Sequence, residues 1–342
     1  MSTVPAAAAL TAARAAAGLA PVLGLDIGGT KLRAAVVDGA GRVLSFRVRP
    51  THTRATAESE LAALFELGRL AVEDAKVAWS DLAGIGIGCG GPLDAVAGVL
   101  LAPAHLPSWR NVPVTAMAED ALGLPAVLEN DATAAAAAEH RYGAGLGTRD
   151  LIYLTISTGV GGGIVLDGRL HRGPTGNGGE LGHVTVDWHG RPCRGCGRLG
   201  CLEAYVSGTS IAERALEALA ATPDSSTLRE LGVVTAEDVA AAARDGDALA
   251  RAVWDETVEA LAVGLTSIVN LFEPERIVLG GGVTATGEQL LGPVRERVRA
   301  AAMTPAGTAT DIVRSALGDH VGVVGAATIV YERDDQGGTG RE

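Results

Sequence analysis

The sequence predicts an α/β chain of two lobes, and three observations predict it. Strand-like and helix-like segments alternate along 342 residues, a length that suits two lobes better than one. A strand–turn–strand unit occurs twice. Hydrophobic residues make up 47% of the chain and aromatics only 3%, so a sizeable core is available but must be packed from Leu, Val, Ile and Ala.

Residues 22–27 (VLGLDI) and 32–37 (LRAAVV) read as strands, with Gly28-Gly29 between them and Asp38-Gly39 as the following turn. From Glu58 to Trp79, Leu61, Leu64, Phe65 and Val72 recur at helical spacing. Residues 84–88 (GIGIG) read as a strand approached closely by other backbone. A short strand follows at 126–129, and the Ala-rich run from Ala132 to Tyr142 reads as a helix. A long helix covers roughly 247–271, with Val253, Val258, Leu261, Leu265 and Ile268 on one face and Pro274 stopping it. Strand 276–279 runs into Gly280-Gly281-Gly282; a strand near 311–314 and a helix near 323–332 come last. The expected organisation is a disordered tail over 1–20, a small lobe of 21–128 plus about 318–333, a large lobe of 129–317 and a second disordered tail over 334–342.

The repeated unit is LDIGGTKLRAAVVDG (25–39) against LTISTGVGGGIVLDG (154–168), aligned without a gap at an offset of 129. Two unrelated hairpins would also carry Gly-rich turns. One copy in each lobe instead suggests duplicated lobes whose small-residue turns face one cleft.

A net charge of −12 lacks the electrostatic footprint of a nucleic-acid binder. No apolar run approaches the roughly 20 residues that span a bilayer, and residues 1–20 lack the basic start of a secretory signal. Three of the four cysteines cluster with histidine nearby, which favours a metal over disulfides and places the chain in the cytoplasm.

Three constellations carry chemistry. In the two turns, Gly28, Gly29, Thr30 and Lys31, and then Ser157, Thr158 and Gly159, offer backbone N–H groups, hydroxyls and one ammonium to phosphate, although structural turns look similar. Asp26, facing such phosphates, would hold Mg²⁺ directly or through water; the other reading is a capping Asp. Asn130-Asp131 precedes a helix, so the pair is either a cap or, in Asp131, a general base for a substrate hydroxyl. Finally, His183, Cys193, Cys196 and Cys201 form a tetrahedral zinc set with no open position, hence structural, with His189 as a competing imidazole. Glu180 and Glu203 bracket this element and could read sugar hydroxyls with the free ring nitrogen of His183.

At these residues the sequence resembles the ROK family (repressors, open reading frames, kinases). The resemblance rests on GLDIGGTK (24–31), GIGIGCGGPLD (84–94), ENDATAAAAAEH (129–140), TISTGVGGGIVLDGRLHRG (155–173), GGELGH (178–183), CGRLGCLEAYVSG (196–208) and IVLGGGV (277–283). It implies an actin-like ATPase (ribonuclease H-like) fold with the active site in a cleft between two lobes, and a sugar kinase using MgATP, most simply a glucokinase. By that resemblance Asp131 is the catalytic base; Asn130, Glu180, His183 and Glu203 bind sugar hydroxyls. Asp26, Gly28 to Lys31, Thr158 and Gly159 handle ATP phosphates, and Gly280, Gly281 and Gly282 lie near the adenosine. His183 and the three cysteines match the family zinc site, and a homodimer or tetramer is expected. The first cysteine pair is spaced one residue wider than usual, which puts Cys193 in question, and His105 stands where many relatives have Asn. N-acetylmannosamine, fructose or allose are alternative acceptors. Polyphosphate as donor would ask for a basic track that is not evident. A family repressor would need a helix-turn-helix, for which about 20 residues before the first strand are too few; a non-catalytic sugar sensor would not need Asp131.

Overall fold

The computed structural model describes residues 18–337; residues 1–17 and 338–342 of the two expected tails lie outside the described residues. The chain divides into two compact units. The first runs to Thr148 and takes in Gly163–Gly179 and the chain from Ala316, and the second comprises Arg149–Gly162 and Glu180–Ser315. The sequence reading began the second lobe at residue 129; the first unit instead extends through the helix that follows.

In chain order the elements are β1 (Val22–Ile27), β2 (Lys31–Val37), β3 (Val43–Pro50), α1 (Ala57–Ala75), β4 (Ile85–Cys89), β5 (Leu93–Asp94), β6 (Val99–Leu100), α2 (Val114–Leu122), β7 (Ala126–Asn130) and α3 (Asp131–Tyr142). There follow β8 (Leu151–Ile156), β9 (Val160–Leu166), β10 (Arg169–Leu170), α4 (Glu203–Val206), α5 (Gly208–Ala221), α6 (Ala236–Arg244), α7 (Ala248–Phe272), β11 (Arg276–Gly280), α8 (Glu288–Ala301), α9 (Ala306–Ala309), β12 (Asp311–Arg314) and α10 (Val321–Gly337).

One sheet has the order β3-β2-β1-β4-β7, and a second has the order β10-β9-β8-β11-β12. Each lists its own strands as third, second, first, fourth, fifth. In the first sheet, β1 to β3 form an antiparallel meander, while β4 and β7 run parallel to β1. In the second, β11 is parallel to both β8 and β12. The duplication read from sequence is thereby borne out: Leu151 stands 129 positions after Val22, and Leu166 stands 129 after Val37.

Strand periodicity sorts the first sheet onto two faces. Leu23, Leu25 and Ile27 pack with Leu61, Leu64 and Leu67 of α1, while Val22, Ala35 and Val37 pack with Val323, Val324 and Ala327 of α10. The GIGIG strand shows the close approach that its composition predicts. A Cβ on Gly86 would overlap the Ala326 carbonyl of α10, and one on Gly325 would come within 2.7 Å of the Ala134 carbonyl oxygen of α3. α1 stops earlier than expected because Lys76 turns left-handed (φ 55°), and Trp79–Asp81 forms a separate one-turn helix.

Candidate active site and metal centre

The antiparallel register places Arg33 opposite Asp26, and Arg33 Nη1 donates to Asp26 Oδ2 at 2.6 Å. Above them is Gly322 at the start of α10, where a Cβ would come 2.6 Å from that same oxygen. Asp26 is only 6% exposed. Burial pushes its pKa up to about 6 against the opposing pull of Arg33, and the charge of Asp131 adds to the rise. The turn from β1 to β2 is braced from behind: Gly28 N donates to Lys31 O at 3.1 Å, and Thr51 donates from its hydroxyl to Gly28 O (2.7 Å) and from its N–H to Thr30 O (3.0 Å). The side chains of Thr30 and Lys31 are left exposed.

β7 runs directly into α3. Asn130 is the N-cap, its Oδ1 accepting from Ala132 N at 3.0 Å and Thr133 N at 3.1 Å, which leaves its side-chain NH₂ free to donate. Asp131 is the first helical residue, and its Oδ1 accepts from Ala132 N at 2.8 Å. The capping role that the sequence left open for the pair thus falls to Asn130. Burial raises the Asp131 pKa, while a charge on His105 and the Ala132 N–H pull it down. Behind the pair, buried Glu129 accepts from Asn130 N at 3.0 Å and from Arg172 Nε at 2.6 Å, which fixes the end of the strand.

In the second unit, Ser157 and Thr158 are exposed at the β8–β9 turn, with Ser157 N donating to Gly159 O at 2.9 Å. Glu203, the first residue of α4, accepts from Val160 N at 2.9 Å. A Cβ on Gly159 would come 2.8 Å from the same Glu203 oxygen, so this carboxylate needs the glycine. β11 ends in Gly280, and Gly281 is left-handed (φ 88°); a Cβ there would overlap the Ile156 carbonyl. The three glycines therefore sit at the C-terminal end of a parallel strand, where open α/β sheets bind ligands.

His183 closes a one-turn helix (Leu181–His183) that follows Glu180. Its donor atom and the Sγ atoms of Cys193, Cys196 and Cys201 all lie within 4.8 Å of one another. Cys193 Sγ is 3.6 Å from His183 Nδ1, and Cys196 Sγ is 3.5 Å from Cys201 Sγ. A tetrahedral ion bonded at about 2.0–2.3 Å sets its donors roughly 3.3–3.8 Å apart, the range of these two separations, so the four residues suit zinc in type and spacing. The wider cysteine spacing is absorbed at Gly195, where a Cβ would come 2.6 Å from Glu203 Oε1 and 3.1 Å from His183 Cε1. Cys193 is thereby brought into one group with His183, Cys196 and Cys201. With Nδ1 turned to the cysteines, His183 keeps Nε2 outside the cluster, 3.9 Å from Glu180 Oε2. His189 lies elsewhere, its ring against that of Trp188.

Two ion pairs were missed from sequence. Arg33 could have been found, since pairing Ile27 with Leu32 across the turn puts Arg33 opposite Asp26. Arg172 could not, because no local signal links it to Glu129, 43 residues earlier.

The family model described as ROK matches residues 22–333. The chain is 33% identical over 327 residues to a glucokinase of Halalkalibacterium halodurans, a match covering 94% of this chain and 98% of that protein. A ROK hexokinase from Thermus thermophilus superposes with a TM-score of 0.77 at 37% identity, over 92% of this chain and 99% of that one. A ROK family glucokinase from Streptomyces griseus, in complex with glucose and AMPPNP, does so with a TM-score of 0.77 at 36% identity, over 90% and 98%. Matched in this way from β1 into α10, the chain belongs to the ROK family and has its actin-like ATPase fold.

Proposed function

We infer that the protein is an ATP-dependent glucokinase, transferring the γ-phosphoryl group of ATP to the 6-hydroxyl of D-glucose. The observation that carries this is the arrangement at the start of α3. Asn130 takes over the cap, and Asp131 remains as a half-buried carboxylate of raised pKa in a chain that matches glucokinases over nearly its whole length.

Asp131 accepts the proton of the sugar 6-hydroxyl as its oxygen attacks the γ-phosphorus in line and the bond to the ADP oxygen breaks. Such transfer depends mainly on positioning and charge stabilisation, so a modestly basic carboxylate suffices. The Asn130 amide, Glu180, His183 Nε2 and Glu203 hold the other sugar hydroxyls. Gly28 to Lys31 and Thr158-Gly159 take the phosphates with backbone N–H groups, hydroxyls and the Lys31 ammonium, and Gly280 to Gly282 adjoin the adenosine. Asp26 would hold magnesium, directly or through water; its Oδ1 remains when Arg33 takes Oδ2. When bound, that ion neutralises phosphate charge. Zinc held by His183, Cys193, Cys196 and Cys201 keeps His183 and Glu203 in place.

The test is ADP release from MgATP over a panel of hexoses, with Asp131→Ala alongside. Glucose should give the highest kcat/KM, and the variant should lose about 10²- to 10⁴-fold in kcat with its fold intact. A stronger response to N-acetylmannosamine, fructose or allose would keep the kinase and change the acceptor. Sugar binding without turnover would replace the enzyme by a sensor.

A further inference from the structure

Residues 102–109 (APAHLPSW) carry a half-buried imidazole, His105, to which no role has been given above. Its segment is anchored by Leu106 and Trp109, which are 0% and 1% exposed, and by Ala104 N donating to Gly91 O at 3.3 Å. The ring spans two glycines. On one side a Cβ at Gly29 would come 3.0 Å from His105 Cβ. On the other, a Cβ at Gly90 would come 2.7 Å from His105 Cε1, 3.1 Å from Nδ1 and 3.7 Å from Asp131 Oδ2. The first glycine belongs to the phosphate turn, and the second borders the carboxylate assigned as base.

Nε2 lies 3.4 Å from the Ile27 carbonyl oxygen and 3.9 Å from Cys89 Sγ. A carbonyl only accepts, so Nε2 is the ring nitrogen that donates to Ile27, and Nδ1 faces the space at Gly90. The ring is thus fastened to the last residue of β1 while its opposite edge borders the same small space as Asp131 Oδ2.

We propose that His105 is a positioning residue for phosphoryl transfer: wedged between Gly29 and Gly90 and tied to the Ile27 carbonyl, its ring sets the spacing between the first phosphate turn and Asp131. The proposal rests on the reading of Asp131 as the base. A displacement of about 1 Å in such a geometry can cost about 100-fold in rate, so the effect belongs in kcat rather than in ground-state binding.

Three variants test this. His105→Ala removes both wedge and donor, His105→Leu restores bulk without the donor, and His105→Gln restores bulk and an N–H. His105→Ala should lower kcat by about 10- to 100-fold while KM for sugar and for ATP stays within about threefold. His105→Gln should recover most of the loss and His105→Leu much less, with all three melting near the wild type. A normal kcat in His105→Ala, with Asp131→Ala inactive, overturns the proposal alone. Equal recovery by Leu and Gln overturns the positioning role in favour of simple packing. An active Asp131→Ala overturns the base assignment, and this proposal with it.

Discussion

Asp26→Asn exchanges a buried carboxylate for a neutral group of the same shape and separates what Asp26 costs the fold from what it does for catalysis. The Asp26 pKa stands at about 6 instead of its ordinary 3.8, because burial outweighs the Arg33 guanidinium 2.6 Å away. The folded chain therefore prefers the protonated form. The stability tied to that preference is fully present below about pH 4 and is lost as pH rises towards 6, above which the ionised group costs about 3 kcal/mol. Asparagine mimics the protonated acid at every pH. The variant should match the wild type near pH 4 and exceed it above pH 6 by up to about 3 kcal/mol, roughly 6–12 °C in Tm for a unit of this size. Thermal unfolding of both proteins without nucleotide, at pH 4.5, 6 and 8, reads this directly; MgATP turnover, measured in parallel, should collapse in the variant. A variant less stable than wild type at pH 8 would refute the reasoning, because it would mean that the pair with Arg33 outweighs burial.

The metal centre and the Glu129 ion pair give two further tests. Elemental analysis should find about one zinc per chain; Cys201→Ser should lose it, lower Tm and raise KM for the sugar through His183 and Glu203, and retained zinc would remove Cys201 from the site. Arg172→Ala strands the buried Glu129 carboxylate and should cost about 3–5 kcal/mol in denaturant unfolding. A loss below about 1 kcal/mol would place this pair with ordinary surface ion pairs.

The duplicated hairpins, the turns they carry and the cysteine cluster were legible because each is a local pattern. The strand period and the glycine turns lie within fifteen residues, and the three cysteines within nine. Asn130-Asp131 was harder: both residue types cap helices, and only the backbone shows Asn130 extended (φ −61°, ψ 137°) with Asp131 already helical. β3 was overlooked because its exposed residues blur the apolar pattern of a strand, and α8 because Pro293 interrupts a helical pattern. The contacts of His105 with Gly29 and Gly90 join segments distant in sequence, so nothing near position 105 announces them.

The packing of α10 on the first sheet has a consequence for synthesis. All five strands of that sheet and α3 are made by Tyr142, yet the helix that covers Val22, Ala35 and Val37 begins only at Val321. At 5–20 residues per second, a ribosome needs about 10–40 s to cross that interval. Throughout it the nascent sheet presents an apolar face grooved by Gly24 and Gly86, shaped for a helix that does not yet exist. The first unit is begun first and finished last, so chaperone occupancy during translation should concentrate on this face and end when α10 emerges.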